Sequence, residues 1–162
     1  MSEPVLDLAE ELDSPNVRAN VAVAGWEDAV DRVGALLVDA GSAEPRYVEA
    51  MKDGFREYGP YAVLAPGIAM PHARPEQGVV RPGVALITLR EAVEFGSPEN
   101  DPVDLVVAFA AVDKRAHVTA LQQLAILLSN ASAVEDIRAA DSDAELVRCL
   151  REALQGEGHD DR

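Results

Sequence analysis

A single cysteine, Cys149, stands in a chain of 162 residues. No internal disulfide and no cysteine-built zinc cluster can come from it, and the spare thiol usage fits a reducing compartment. Aromatic residues make up only 4% of the chain while apolar residues together reach 48%, so Ala, Val and Leu have to fill the core. Positive charge is also short: 14 Lys and Arg face 29 Asp and Glu, for a net charge of −15. Such a surface repels nucleic acid and anionic membrane and suits macromolecular partners that present basic patches. No apolar run approaches the ~20 residues that cross a bilayer. The start, Met1-Ser2-Glu3-Pro4, is acidic and lacks the apolar stretch of a secretory signal. The expected setting is the cytoplasm. Glycine-rich phosphate loops are missing, and so is a His-Glu-x-x-His zinc motif. Gly96-Ser97-Pro98 is no nucleophile elbow.

What remains is enough for one domain with a full core. Residues 1–17, with Pro4, Pro15 and several acids, read as a flexible N-terminal arm holding at most a short amphipathic piece at Leu6–Leu12. Asn20–Ala24 reads as a short strand closed by Gly25. Trp26, Val30, Val33, Leu37 and Ala40 recur at helical spacing up to Gly41. Ser42 is placed to cap the next helix, with Pro45 in its first turn and Tyr47, Val48, Met51 and Phe55 on its apolar face. Gly59-Pro60 breaks that helix. Tyr61–Ala65 has the length of a strand, and a loop around His72 follows. Gly83–Leu89 is a strand, Val93–Phe95 a separate extended piece, and Val103–Val112 a strand apolar enough to be buried on both faces. Asp113 caps a helix marked by Val118, Leu121, Leu124, Ala125 and Leu128. Ala133–Ala140 is a short helix. Ser142 caps a last one, with Leu146, Cys149, Leu150 and Leu154 on one face, Cys149 serving as a small core residue. Residues 156–162 form a polar tail, leaving 18–155 as the domain. The order predicts an α/β domain with a mixed sheet between helical layers.

The chemistry points to two of the three histidines. His159 falls in the tail. His72 lies in Ala65-Pro66-Gly67-Ile68-Ala69-Met70-Pro71-His72-Ala73-Arg74-Pro75, where prolines on either side hold it on stiff, non-helical backbone. His117 lies in the first turn of the helix that Asp113 caps. Both follow a predicted strand, and in α/β sheets sites gather where strands end and helices begin. A helix N-terminus offers free N–H groups and a positive dipole end to an anion. Lys114 and Arg115 add charge there, and Arg74 adds it beside His72. Two imidazoles with these cations suit a phosphoryl group, for which a neutral histidine (ordinary pKa about 6.5) is a competent nucleophile. Two histidines with Asp or Glu could instead hold a metal, although no ligand spacing supports it.

Gly67-Ile68-Ala69-Met70-Pro71-His72-Ala73-Arg74-Pro75 resembles the phosphohistidine motif of the enzyme IIA components of the bacterial sugar phosphotransferase system, mannitol/fructose type. Gly59–Ala69 with Pro71–Pro75, then Val93–Ser97 and Glu99–Val103 running on to Asp113, are similar to the ascorbate-type branch. The similarity spans roughly residues 20 to 152. It implies a three-layer α/β/α sandwich with a mixed central sheet, the phosphotransferase/anion transport protein fold. It implies that His72 accepts a phosphoryl group through Nε2 from the phosphocarrier HPr and passes it to a cysteine of a cognate enzyme IIB, working with a membrane IIC. Cys149 is not that cysteine. His117 matches the second active-site histidine, which stabilises the phosphoryl oxygens. No metal and no cofactor is implied. Arg74, Lys114 and Arg115 are candidate supports of the phosphate. Arg56 lies where the mannitol-type proteins carry an active-site arginine, but its surroundings differ and the role is not transferred. Soluble members are sometimes dimeric, so a homodimer stays open. Two other readings remain beside sugar or ascorbate transport: a nitrogen-type regulatory paralogue, and an unphosphorylated interaction domain like those of anion transporters. The presence of both histidines opposes the last, and the ascorbate-like flanks favour transport over regulation.

Overall fold

Two strands with opposite-facing alternation organise the molecule, here a computed structural model that describes residues 8–13 and 15–159. In β4 (Gly83–Val93) Val84 and Leu86 point to one side of the sheet, Ala85, Ile87 and Leu89 to the other. In β5 (Val103–Ala110) Leu105, Val107 and Phe109 take the first side, Val106, Ala108 and Ala110 the second. Successive side chains of a strand face opposite ways, so an unbroken apolar run needs a hydrophobic layer on each side. The sheet has five strands in the order β1-β4-β5-β3-β2, with β1 (Val17–Val21), β2 (Val63–Ala65) and β3 (Ile68–Ala69). β1–β4 and β3–β5 are parallel, β4–β5 and β2–β3 antiparallel, which makes the sheet mixed.

Helices α2 (Trp26–Asp39) and α3 (Pro45–Tyr58) cover one face through Val30, Val33, Leu37, Met51 and Phe55. Helices α1 (Leu8–Glu11), α4 (Lys114–Leu128), α5 (Ala131–Ala139) and α6 (Asp143–His159) cover the other. The expected three-layer α/β/α sandwich is therefore present. No helix among the described residues is long and apolar enough to cross a membrane.

Several local expectations change. From Leu8 onward the expected arm belongs to the fold: Leu8 and Leu12 are buried against α6 and β4, because two leucines four residues apart make an apolar face once another surface is there to take it. Residues 1–7 and 14 of that arm lie outside the described residues. The first strand begins at Val17, not Asn20; Val17 is the residue that pairs with Leu86 and buries, and the Asn20 backbone takes φ 56°, which Asn tolerates better than most residues. Ser42 does not cap α3. It is fully buried, its carbonyl accepts from Val80 and Arg81 N–H, and the cap position falls to Glu44, which makes no side-chain cap bond ahead of Pro45. Part of the expected loop around His72 is a hairpin: β2 and β3 join through Pro66-Gly67, with proline setting the second turn residue and Gly67 at φ 76° the third. Val93 is not separate but ends β4, paired with Val103. The backbone at 156–159 continues α6 instead of a tail, and 160–162 lie outside the described residues. Asp113 and Ser142 do cap: Asp113 Oδ1 accepts from Ala116 N–H at 2.8 Å, and Ser142 Oγ from Glu145 N–H at 3.1 Å.

Candidate functional site

The parallel pair β3–β5 brings the two histidines together. β3 runs out through Met70 and Pro71 into His72, and β5 runs out through Ala110 into Asp113 and α4. Phe109 N–H donates to the Pro71 carbonyl at 3.4 Å, so the two exits travel side by side. The His72 and His117 rings meet edge to face with centroids 4.9 Å apart. The sequence placed both at strand exits, and the sheet order makes those exits adjacent.

Four contacts orient His72. Its ring stacks on Phe109 at 4.8 Å and 21°. Tyr61 approaches edge-on at 5.6 Å and donates its hydroxyl to the His72 carbonyl at 2.9 Å. His72 Nδ1 lies 2.9 Å from the Met70 carbonyl. A carbonyl can only accept, so Nδ1 carries the proton and Nε2 keeps its lone pair. The Phe109 carbonyl in turn accepts from the Tyr47 hydroxyl at 2.8 Å. Burial pulls the His72 pKa below its ordinary 6.5, with the Met70 carbonyl opposing that and the neighbouring His117 adding to it. The neutral ring is thus the form held at physiological pH. His117 stands over the Phe109 ring at 5.3 Å, and its nitrogens have no hydrogen-bond partner among the described residues.

His72, His117 and Tyr61 line a cleft of about 600 Å³ between α3, the 72–77 loop and the start of α4. Lys114 and Arg74 line it; Arg115 does not. Arg74 is exposed and paired with Glu76 at 3.3 Å. Lys114 has no carboxylate partner among the described residues, and the Lys114 and Arg115 backbone N–H groups are open because Asp113 takes only that of Ala116. Arg56 is held by Glu27 at 2.7 Å and Asp53 at 2.8 Å and does not line the cleft. The cleft is not richly positive: Asp53, Glu57, Glu76 and Asp113 also line it. His117, Lys114 and the open N–H groups at the start of α4 are donors that an anion in the cleft could meet.

Three aromatic residues that orient the imidazole were not singled out from sequence: Tyr47, Tyr61 and Phe109. The one signal available was Tyr47 on an otherwise apolar helix face, since a buried phenol needs a partner. Its hydroxyl is fully buried, and burial pushes its pKa up to about 12.

The lowered His72 pKa predicts a pH profile. At pH 6.5, where a free imidazole is half protonated, the His72 ring stays more than half neutral, so a reaction that needs its Nε2 lone pair should fall off at lower pH than it would for a free imidazole. The unfolded chain takes up this proton first as pH drops through 6.5, so the stability held by the neutral ring is lost between 6.5 and the lower folded value. A proton NMR titration of the ring checks both.

A mixed sheet with two imidazoles edge to face at adjacent strand exits defines an α/β domain equipped for group transfer to histidine. Residues 11–153 match the family described as phosphoenolpyruvate-dependent sugar phosphotransferase system, EIIA 2, and the chain belongs to it. It is 40% identical over 136 residues to an ascorbate-specific PTS system EIIA component of Shigella boydii, covering 83% of this chain and 88% of that one. The solution structure of the mannitol-specific cryptic phosphotransferase enzyme IIA of Escherichia coli superposes with TM-score 0.79 at 32% identity, covering 90% of this chain and 99% of that one. The mannitol enzyme IIA of Escherichia coli, solved in complex with phosphorylated enzyme IIB, gives TM-score 0.73 at 30% identity, covering 86% of this chain and 96% of that one.

Proposed function

We propose that this chain is a phosphoryl carrier that takes the group from phospho-HPr onto Nε2 of His72 and passes it to a cysteine of a cognate enzyme IIB, serving uptake of L-ascorbate or a similar sugar acid. The single observation that carries the reading is the His72 Nδ1 contact with the Met70 carbonyl, 2.9 Å, which leaves Nε2 as the nucleophile beside His117. The substrate class rests on the ascorbate-specific relative, and the acceptor on the relative solved with phosphorylated enzyme IIB.

The step needs little acid–base chemistry. The Nε2 lone pair attacks phosphorus in line, the N–P bond forms as the bond to the donor breaks, and Nδ1 keeps its proton. The ring gains positive charge, and the Nδ1–H bond to the Met70 carbonyl strengthens as it does. His117 and Lys114 supply donors to the phosphoryl oxygens, with the open N–H groups at the start of α4. In the return step a thiolate attacks phosphorus, the N–P bond breaks, and the electron pair returns to Nε2. The carboxylates along the cleft oppose a long-lived dianion there, which suits a group in transit.

Incubation with enzyme I, HPr and phosphoenolpyruvate tests this. The expected result is one acid-labile phosphate per chain, discharged on adding the enzyme IIB of an ascorbate system. Failure to take up label overturns the carrier reading, and discharge only to a mannitol enzyme IIB overturns the substrate class.

A further inference from the structure

The His72–Ala73 peptide group is gripped at both ends by tyrosine hydroxyls. Its oxygen, the His72 carbonyl, accepts from Tyr61 at 2.9 Å. Its N–H, that of Ala73, donates to the Tyr47 hydroxyl at 3.0 Å. The Tyr47 proton goes to the Phe109 carbonyl at 2.8 Å, nearer than the Ala73 carbonyl at 3.2 Å. No backbone group of the described residues pairs with either end of this peptide. The two phenols come from opposite sides. Tyr47 rises from α3 inside the core, fully buried, and Tyr61 stands at the rim of the cleft, 38% exposed.

We propose that Tyr47 and Tyr61 form a clamp that fixes the peptide following the nucleophilic histidine and so positions the His72 ring for phosphoryl transfer. This rests on the carrier reading above and names positioning residues for it. A peptide group is planar, so holding its two ends sets the ψ angle of His72 and with it the direction of the Cα–Cβ bond. Two ring contacts finish the placement: the Phe109 face limits rotation of the imidazole, and the Met70 carbonyl fixes which nitrogen carries the proton. Tyr47 serves both parts at once, because its hydroxyl bridges Ala73 to the residue whose ring the imidazole stacks on. A loop with no ladder of its own thereby acquires the rigidity that in-line transfer requires. Gly54 makes room for the arrangement, since a Cβ there would come within 2.9 Å of the Tyr61 hydroxyl.

The test uses Tyr47→Phe and Tyr61→Phe in the full chain, singly and together, followed by rapid-quench transfer from phospho-HPr and by ¹⁵N NMR of His72. Each single variant should slow transfer on the order of tenfold, Tyr47→Phe more, because no water can replace its hydroxyl. The double variant should be slower than either but well short of the product of the two effects, since both hydroxyls hold one peptide. The nitrogen spectrum should show a mixture of imidazole tautomers where the parent shows Nδ1–H alone. Parental transfer rates and an unchanged nitrogen spectrum, with only a lowered melting temperature, would overturn the clamp and leave the tyrosines as packing. A double variant equal to the product would also overturn it. If Tyr47→Phe does not fold, Tyr61→Phe decides alone by the same two readouts. Failure of the parent to accept phosphate would sink the carrier reading instead, and the nitrogen spectra would still decide the clamp.

Discussion

His72→Ala takes up no acid-labile phosphate from enzyme I, HPr and phosphoenolpyruvate, while the parent takes up one equivalent. The expected loss is complete because the substitution removes the bond-forming atom and not a helper. His117 is the other imidazole of the cleft, but nothing among the described residues fixes its tautomer or stacks it for attack on a docked donor as Met70 and Phe109 do for His72. His72 also contributes packing, being half-buried between Phe109, Tyr61 and His117. Circular dichroism and melting of the variant must therefore accompany the assay. Retained fold with no label is the predicted pattern. Label equal to the parent would move the nucleophile elsewhere.

His117→Ala gives the second large effect and a different one. It keeps Nε2 of His72, so the protein still accepts phosphate. It removes an imidazole whose ring touches the nucleophilic ring, at 4.9 Å, and whose nitrogens have no hydrogen-bond partner among the described residues. Donors aimed at oxygens that carry charge in the transition state contribute on the order of 10²–10³ in rate. The transfer to enzyme IIB should slow by about that factor. Acceptance should suffer less, because the nucleophilic Nε2 and the contacts that orient it are unchanged. Stopped-flow or rapid-quench measurement of the two half-reactions separates them. Equal slowing of both would recast His117 as a packing residue for the Phe109–His72 stack, 5.3 Å from the Phe109 ring.

Much of this site was legible in the chain. Val103–Val112 is apolar at every position but Asp104, so it had to lie between two helical layers, and it became β5 with cores on both faces. Asp113 announced the start of α4 because a short carboxylate satisfies an N–H that the helix leaves open. That fixed His117 in a first turn. The stiff Met70-Pro71-His72 run fixed the other imidazole on non-helical backbone. Their meeting depended on something no local pattern states, namely that β3 lies parallel beside β5.

The misses share that cause. β1 starts at Val17 because of its partner in β4, not because Asn20–Ala24 is less strand-like in composition. Ser42 looked like a cap and became a buried post whose Oγ sits 3.5 Å from the Pro82 carbonyl. The tyrosine clamp joins Tyr47 to Ala73 and Phe109, 26 and 62 residues away, so only the folded sheet brings those groups within reach. Charge was legible only in part. Arg74, Lys114 and Arg115 suggested a positive nest, but Arg74 pairs with Glu76, Arg115 stands off the cleft, and four carboxylates line it. A phosphoryl group would meet few donors among these carboxylates, in keeping with transfer rather than storage.

The most direct test is a combined ³¹P and ¹⁵N NMR spectrum of the phosphorylated protein with labelled histidine. The phosphorus should couple to Nε2 of His72, with the proton retained on Nδ1 and its bond to Met70 intact. Phosphorus on Nδ1, on His117 or on any other side chain would contradict the account, because each needs a different face of the cleft to meet the donor.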